Sequence, residues 1–461
     1  MDLRTRIRTQ PMSKLQLRTV IIAILLCMMD GFDILVVGFV APYIRLAWDL
    51  TGGEVSYAIT AGVAGMAVGS AFISPLADKI GRRPHILLML VGITVGMLAT
   101  GFSPNLTALI IIRFFAGIFI GAILTTVNII VSEYASDKRR GTIMGIYGIG
   151  TPLGASLGGL ASTWIVARYD WHGAFFFGAG LSAVLLVVSY LWLPESITYL
   201  IEKRPKGALE KYNAIGAKMN HPPESELPPQ AATGDQRNVF KSLASGIMLP
   251  RTIFLWSAYA LLTAAFYFAN QFVGLLIAGA AGDPAAGTRA QAFVPLGGVL
   301  GALVFAVLCL VIHPRLSTAL IMFGGTASFL IFATNFDNIG LSLLFAAMIG
   351  LFANGGIAAY YAISPFTYPS AVRAGAMGYM LGFGRLVAIA APLLSGALLD
   401  AGWEPDAMFI LFSIVLFVSG LLCIALHLTY RGRSENPDTP YATAEDDRIA
   451  LEQAIAASEG A

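Results

Sequence analysis

Residues 18–45 read RTVIIAILLCMMDGFDILVVGFVAPYIR. A bilayer crossing needs about 20 mostly apolar residues, and this stretch supplies more. Two carboxylates, Asp30 and Asp33, interrupt it. At the centre of a spanning helix each costs about 2.5–3.5 kcal/mol on insertion scales, so an acid held there reads as functional. Three residues apart on a helix, the two lie about 60° apart and can look toward one cavity.

Eleven further apolar stretches predict helices near 54–77, 84–102, 106–133, 141–167, 173–193, 252–279, 290–312, 316–334, 339–363, 374–400 and 405–429. Hydrophobic residues make up 57% of the chain and charged residues 12%, about half the charge of a soluble domain. The expected class is an all-α integral membrane protein of 12 spans. The apolar run after the basic start is too long for a cleaved signal. Cys27, Cys309 and Cys423 fall inside apolar runs, which argues against a disulfide framework or a metal site.

Charge placement gives orientation. With both termini inside, 24 of the 29 Lys and Arg lie inside and three (Arg45, Arg168, Arg289) outside. That asymmetry predicts cytoplasmic termini. The expected organisation is a cytoplasmic arm at 1–17, a six-helix bundle at 18–193, a Pro-rich linker at 194–251, a second bundle at 252–429 and a cytoplasmic tail at 430–461. A shift of 234 positions aligns Tyr134, Ser136, Arg139, Gly141, Gly148 and Gly150 with Tyr368, Ser370, Arg373, Gly375, Gly382 and Gly384. Repeated halves with a midplane site are a common build of secondary transporters. In the tail, Thr443 to Asp446 reads as a capping box before a short amphipathic helix.

Four motifs name a family. Ser74-Pro-Leu-Ala-Asp78-Lys79-Ile-Gly81-Arg82-Arg83 resembles the signature loop of the major facilitator superfamily, with Ser74 where the pattern has Gly. Arg113 with Gly117 and Gly121, Ser132-Glu133-Tyr134 with Arg139-Arg140-Gly141, and Pro194-Glu195-Ser196 resemble its other motifs in order and spacing. Within the superfamily, Asp30-Gly31-Phe32-Asp33 and Tyr368-Pro369-Ser370-Ala371-Val372-Arg373 on to Arg385 resemble the aromatic acid:proton symporters, bacterial importers of benzoate and hydroxybenzoate type. The second-half signature loop, Cys309 to Arg315, lacks its acid.

The resemblance implies two halves related by a pseudo-two-fold, a monomer in the bacterial inner membrane, and no cofactor. The partners are protons, a small aromatic carboxylate and lipid; nothing points to nucleic acid. Counted at 1.5 Å per residue, Asp30 and Asp33 lie roughly 18 and 22 Å into their helix, Arg385 about 17 Å and Arg113 about 13 Å, all near mid-depth of a core about 30 Å thick. Asp30 and Asp33 are the expected proton carriers. Arg113 and Arg385 are expected to hold the substrate carboxylate. Phe32, Phe266, Tyr267, Phe268, Tyr360 and Tyr361 are candidate walls for the ring, and Asn128, Asn270, Gln271 and Asn354 candidate partners for ring hydroxyls. Asp78, Gly81, Arg82, Arg83, Glu133, Arg139, Arg140 and Arg373 are read as a gate network. His313 is read as a loop residue and His427 as interfacial.

The bland alternative is that the acids and arginines only fix packing. An exporter, or a symporter of another organic acid, shares the fold. A membrane enzyme or sensor is disfavoured, because the chain has no phosphate loop, no His-Glu-x-x-His and no Cys pair.

Overall fold

The computed structural model describes residues 3–229, 243–244, 246–335, 341–369 and 372–434. The expected tail helix lies outside them. Twelve described helices are long and apolar enough to cross a membrane: Lys14–Ala47, Gly52–Ile80, Arg82–Gly101, Leu106–Tyr134, Arg140–Tyr169, His172–Trp192, Met248–Ala281, Pro284–Leu308, Pro314–Thr334, Ser342–Phe366, Gly375–Asp400 and Pro405–Leu428. They are numbered here as spans 1–12. No β-strand occurs among the described residues.

Local chemistry sets the ends. Ser13 and Thr51 open spans 1 and 2 as reciprocal capping boxes with Gln16 and Glu54, each satisfying otherwise orphaned backbone donors. Asn105 caps span 4. Span 2 loosens into a π turn at Gly69–Ile73 and a 3₁₀ turn at Ser74–Leu76. Pro75 supplies no backbone donor there. The ring of His85 lies 3.2 Å from the Ile73 carbonyl and 3.0 Å from the Thr126 hydroxyl, tying that loosened turn to span 4. The chain then reverses at Gly81, whose φ of +102° suits glycine.

Two contact-defined units emerge: Met1–Thr233 with Gln271–Leu296, and Gly234–Asn270 with Gly297–Ala461. In the first unit, spans 2 and 4 pack glycine to backbone. A Cβ on Gly117 would strike the Gly62 carbonyl, and one on Gly121 that of Met66. Spans 1 and 5 meet the same way at Gly31 against Thr151 and Gly154 against Met28. Close approach of small residues is how helices associate where lipid offers no hydrophobic drive. Ser74, in the place of the motif's glycine, keeps the contact by bonding: its hydroxyl donates to the Ala122 carbonyl and accepts from Thr125. The end of span 7 and the start of span 8 belong to this unit. Gln271 donates to the Ile34 carbonyl at 3.2 Å and Thr288 to that of Phe39 at 2.7 Å. In the second unit, Gly297 and Gly301 press on span 10 at Ala347 and Leu351.

The stretch read as a linker begins with structure. Helices form at Ile197–Lys203 and Ala208–Ala217, and another at Leu3–Thr9. Leu3, Ile7, Leu200, Tyr212 and Ile215 are buried. Glu224 collects the Leu3 amide, the Tyr212 hydroxyl and the His221 ring at 2.9–3.2 Å. Arg8 pairs with Asp137 in the 4–5 loop at 3.0 Å. Sequence patterning missed these helices because each is shorter than three turns and takes its apolar partners from the other two.

Candidate functional site

Asp30 and Asp33 are both buried, at 2% and 0% exposure. Asp33 points into the first unit. A Cβ on Gly178 of span 6 would stand 3.7 Å from its Oδ1, and neither carboxylate oxygen has a hydrogen-bond partner among the described residues. Arg113 reaches it from span 4. Its Nη2 donates to the Asp33 backbone carbonyl at 2.9 Å and its Nη1 lies 3.6 Å from the Met97 sulfur. The guanidinium sits 6.0 Å from the centre of the Phe175 ring, at the outer limit for a cation–π contact. Gly62 leaves room for it: a Cβ there would lie 3.4 Å from Nη2. Arg113 is thus enclosed by spans 1, 2, 3, 4 and 6, and it is 2% exposed.

Asp30 faces a different neighbour. One turn nearer the N-terminus, Cys27 donates to the Tyr147 carbonyl of span 5 at 3.3 Å and lies 3.1 Å from the Thr151 hydroxyl. Asp30 is within electrostatic reach of Cys27, Tyr147 and Asp33.

The sequence candidates separate. Phe32 is a core residue: it lies against Gly158 and Gly178 and packs edge-on to Phe177 at 5.8 Å. Its burial inside the first unit corrects the reading of it as an open wall. Gln271 is buried against span 1. Asn128 is exposed on span 4. In the second unit Asn270 and Asn354 bond one another at 2.7 Å, and Asn270 also donates to the Phe266 carbonyl. Tyr360 is fully buried, its hydroxyl 2.8 Å from Ser419 and 2.9 Å from Cys423. That geometry makes it a packing residue of spans 10 and 12, correcting its place among the ring walls. Phe268 likewise stacks on Phe412 at 4.1 Å inside the unit. Tyr361 is 47% exposed, and its ring centre is 6.2 Å from that of Tyr259. Arg385 is half-buried beside Tyr259, and its Nη1 has no hydrogen-bond partner among the described residues.

The gate residues form a local network. Asp78 pairs with Arg82 at 3.0 Å. Glu195, quoted above only as part of a motif, is the hub: its carboxylate accepts from the amides of Arg82, Arg83 and Ser196 at 2.9–3.1 Å. An anion at a helix N-terminus is favoured by the orphan amides and the helix dipole. Arg83 donates to the Leu193 and Tyr190 carbonyls, Tyr134 to the Glu195 carbonyl, and the Ser196 hydroxyl to Glu133. Arg140 pairs with Asp137, Arg139 is exposed, and Arg373 donates to the Tyr368 carbonyl. The second-half copy of the signature loop replaces its acid with His313, whose ring accepts from the Arg315 amide and lies 5.2 Å from the His427 ring. Among the described residues no cluster of His, Cys, Asp or Glu could hold a metal.

Comparison with known proteins supplies the context. Residues 21–312 match the family model described as Major Facilitator Superfamily. The chain is 26% identical to the gallate transporter of Pseudomonas putida over 96% of its own length and 98% of that protein's. It is 26% identical to the 4-hydroxybenzoate transporter PcaK of Acinetobacter baylyi, over 88% and 89%. A structure of the xylose transporter XylE from E. coli superposes with a TM-score of 0.64 at 14% identity, covering 92% of this chain and all of that one. At that identity the likeness concerns the fold.

Proposed function

The chain belongs to the Major Facilitator Superfamily, a family of transporters rather than enzymes, and from that premise we propose that it imports a small aromatic carboxylate together with protons by alternating access. The relatives carry gallate and 4-hydroxybenzoate, which supports an aromatic acid as cargo here. The N-terminal face is assigned to the cytoplasm on the Lys and Arg asymmetry, and the membrane to the bacterial inner membrane.

The observation that carries the proton assignment is the unsaturated contact at Asp33. Both its oxygens lack hydrogen bonds, while Arg113 spends its short bond on the backbone. Burial disfavours a charged carboxyl and a neighbouring guanidinium favours it. Opposed influences of that kind suit a group that loads and unloads a proton during a cycle. Arg113 is too enclosed to receive a substrate in this conformation, so its role is to balance Asp33. Arg385, half-buried with a free Nη1, takes the substrate carboxylate, and Tyr361 contributes to holding the ring. A proton and a monoanion loaded together carry no net charge, which lowers the cost of moving them past the hydrocarbon core.

The test is uptake into proteoliposomes of a labelled panel: benzoate, 4-hydroxybenzoate, protocatechuate, gallate and a phenylpropionate. An inward proton gradient is expected to drive accumulation of at least one, and an uncoupler to abolish it. Accumulation indifferent to the uncoupler removes symport, and no uptake of any member removes the substrate class.

A further inference from the structure

Tyr147 is a buried phenol with no bond to justify it. It is 4% exposed, and its hydroxyl has no hydrogen-bond partner among the described residues. Spans 1 and 5 run side by side in register, with Cys27 against Tyr147 and Thr151, Gly31 against Thr151, and Gly154 against Met28. That register sets the hydroxyl about one helical turn from Asp30 toward the N-terminal face. It lies within reach of the Cys27 thiol, outside hydrogen-bonding geometry, and within electrostatic range of the Asp30 carboxyl. Beside it, span 5 is thinned: a Cβ on Gly141, Gly145 or Gly148 would meet no atom within 4 Å.

Removing an unsatisfied buried hydroxyl from a packing position is neutral or stabilising. Nothing in the packing of spans 1 and 5 therefore requires tyrosine over phenylalanine at 147. The neighbouring polar atoms continue in one direction only, from Tyr147 past Cys27 and Thr151 to Asp30 and then Asp33.

Resting on the symport reading above, we infer that Tyr147 is the proton-transfer residue on the cytoplasmic side of Asp30. Its oxygen takes the proton that leaves the Asp30 carboxyl while its own hydrogen passes to a water on the cytoplasmic side. The phenol ends neutral, the carboxylate is left charged for the return half of the cycle, and no other group is consumed. Tyr147 touches no substrate in this scheme, so binding and exchange proceed without it.

Reconstituted wild type and Tyr147→Phe are compared in three measurements, using whichever panel acid the wild type accumulates. These are substrate-driven proton influx read by a trapped pH dye, gradient-driven accumulation, and substrate exchange at equal pH. Y147F is expected to slow influx and accumulation at least tenfold, to leave exchange within twofold, and to melt at or above the wild-type temperature. Unchanged influx overturns the inference. A parallel loss of influx and exchange also overturns it, since the hydroxyl then serves folding or the conformational cycle. Wild type that accumulates substrate without proton influx refutes the symport reading itself, a distinct result visible before any variant is made.

Discussion

Arg113 binds the backbone carbonyl of Asp33, at 2.9 Å, and not its carboxylate. A guanidinium held by main chain stays put when the side chain beside it changes protonation state. The pair is therefore a fixed charge beside a variable one, and the two can be separated by mutation.

Asp33→Asn leaves the carbonyl that anchors Arg113 and removes no hydrogen bond. Folding should survive, with a melting temperature within a few degrees of wild type. Proton-driven accumulation should be lost while exchange persists, and Asp30→Asn should behave alike if the proton is shared. Full concentrative uptake by both single variants ends the assignment of protons to span 1.

The two arginines should fail differently. Arg385→Lys keeps the charge but loses the planar fork. Losing a charge-assisted hydrogen bond costs about 1.5–3 kcal/mol, so the apparent KM should rise roughly ten- to a hundredfold. Arg113→Lys loses the simultaneous reach to the Asp33 carbonyl and Met97, and its effect should fall on coupling and thermal stability with KM little changed. Initial-rate uptake against concentration separates them; an unchanged KM in Arg385→Lys takes that residue out of substrate binding.

Tyr360 and Tyr361 are adjacent in sequence and opposite in environment. Tyr360→Phe deletes a hydroxyl placed between Ser419 and Cys423 and should cost about 1 kcal/mol of stability without touching KM. Tyr361→Ala removes a half-exposed ring and should weaken binding of aromatic acids with little change in melting. The reverse pattern would return Tyr360 to the substrate.

These cases show what was legible in the chain. Span number, order and near-exact limits followed from apolar length alone, because every backbone group in lipid must be bonded within its own helix. Charged residues at depth were equally visible, since each is costly and stands out against Leu and Val. Direction was not visible. Span 1 runs 34 residues, about 51 Å of helix, so counting from an end misjudges depth. Tyr360 and Phe32 are aromatic like any cavity residue, and only the glycines and serines packed against them show that they face inward. Glu195 was hidden differently: three of its bonds go to backbone amides, which no residue pattern displays.

Alkaline pH tests a residue outside the spans. Tyr368, the repeat partner of Tyr134, is fully buried, and burial pushes its phenol up to about 12, against a smaller pull from Thr252 and Trp256. The unfolded value is about 10. The folded state thus holds its proton more tightly, and the associated stability is complete below pH 10 and disappears as pH rises through 12. A two-unit shift corresponds to about 2–3 kcal/mol. Melting of the detergent-solubilised protein should drop over that window, and Tyr368→Phe should flatten the drop while leaving neutral-pH melting nearly unchanged. An identical alkaline profile in the variant assigns the loss to other groups.

Glu224 offers the last test, in the segment the sequence presented as a linker. One carboxylate oxygen serves the Leu3 amide, the Tyr212 hydroxyl and the His221 ring, while its backbone amide donates to Asn213. Removing a shared acceptor leaves several buried donors unsatisfied, at about 1–3 kcal/mol. Because the helices it joins are short, that cost should appear as local opening. Glu224→Ala is expected to lose roughly ten- to a hundredfold of hydrogen-exchange protection in residues 3–9 and 208–217, with spans 1 and 4 unaffected and uptake kinetics retained. Loss of protection throughout the first unit would mean that these helices are part of its core and not a separately opening brace.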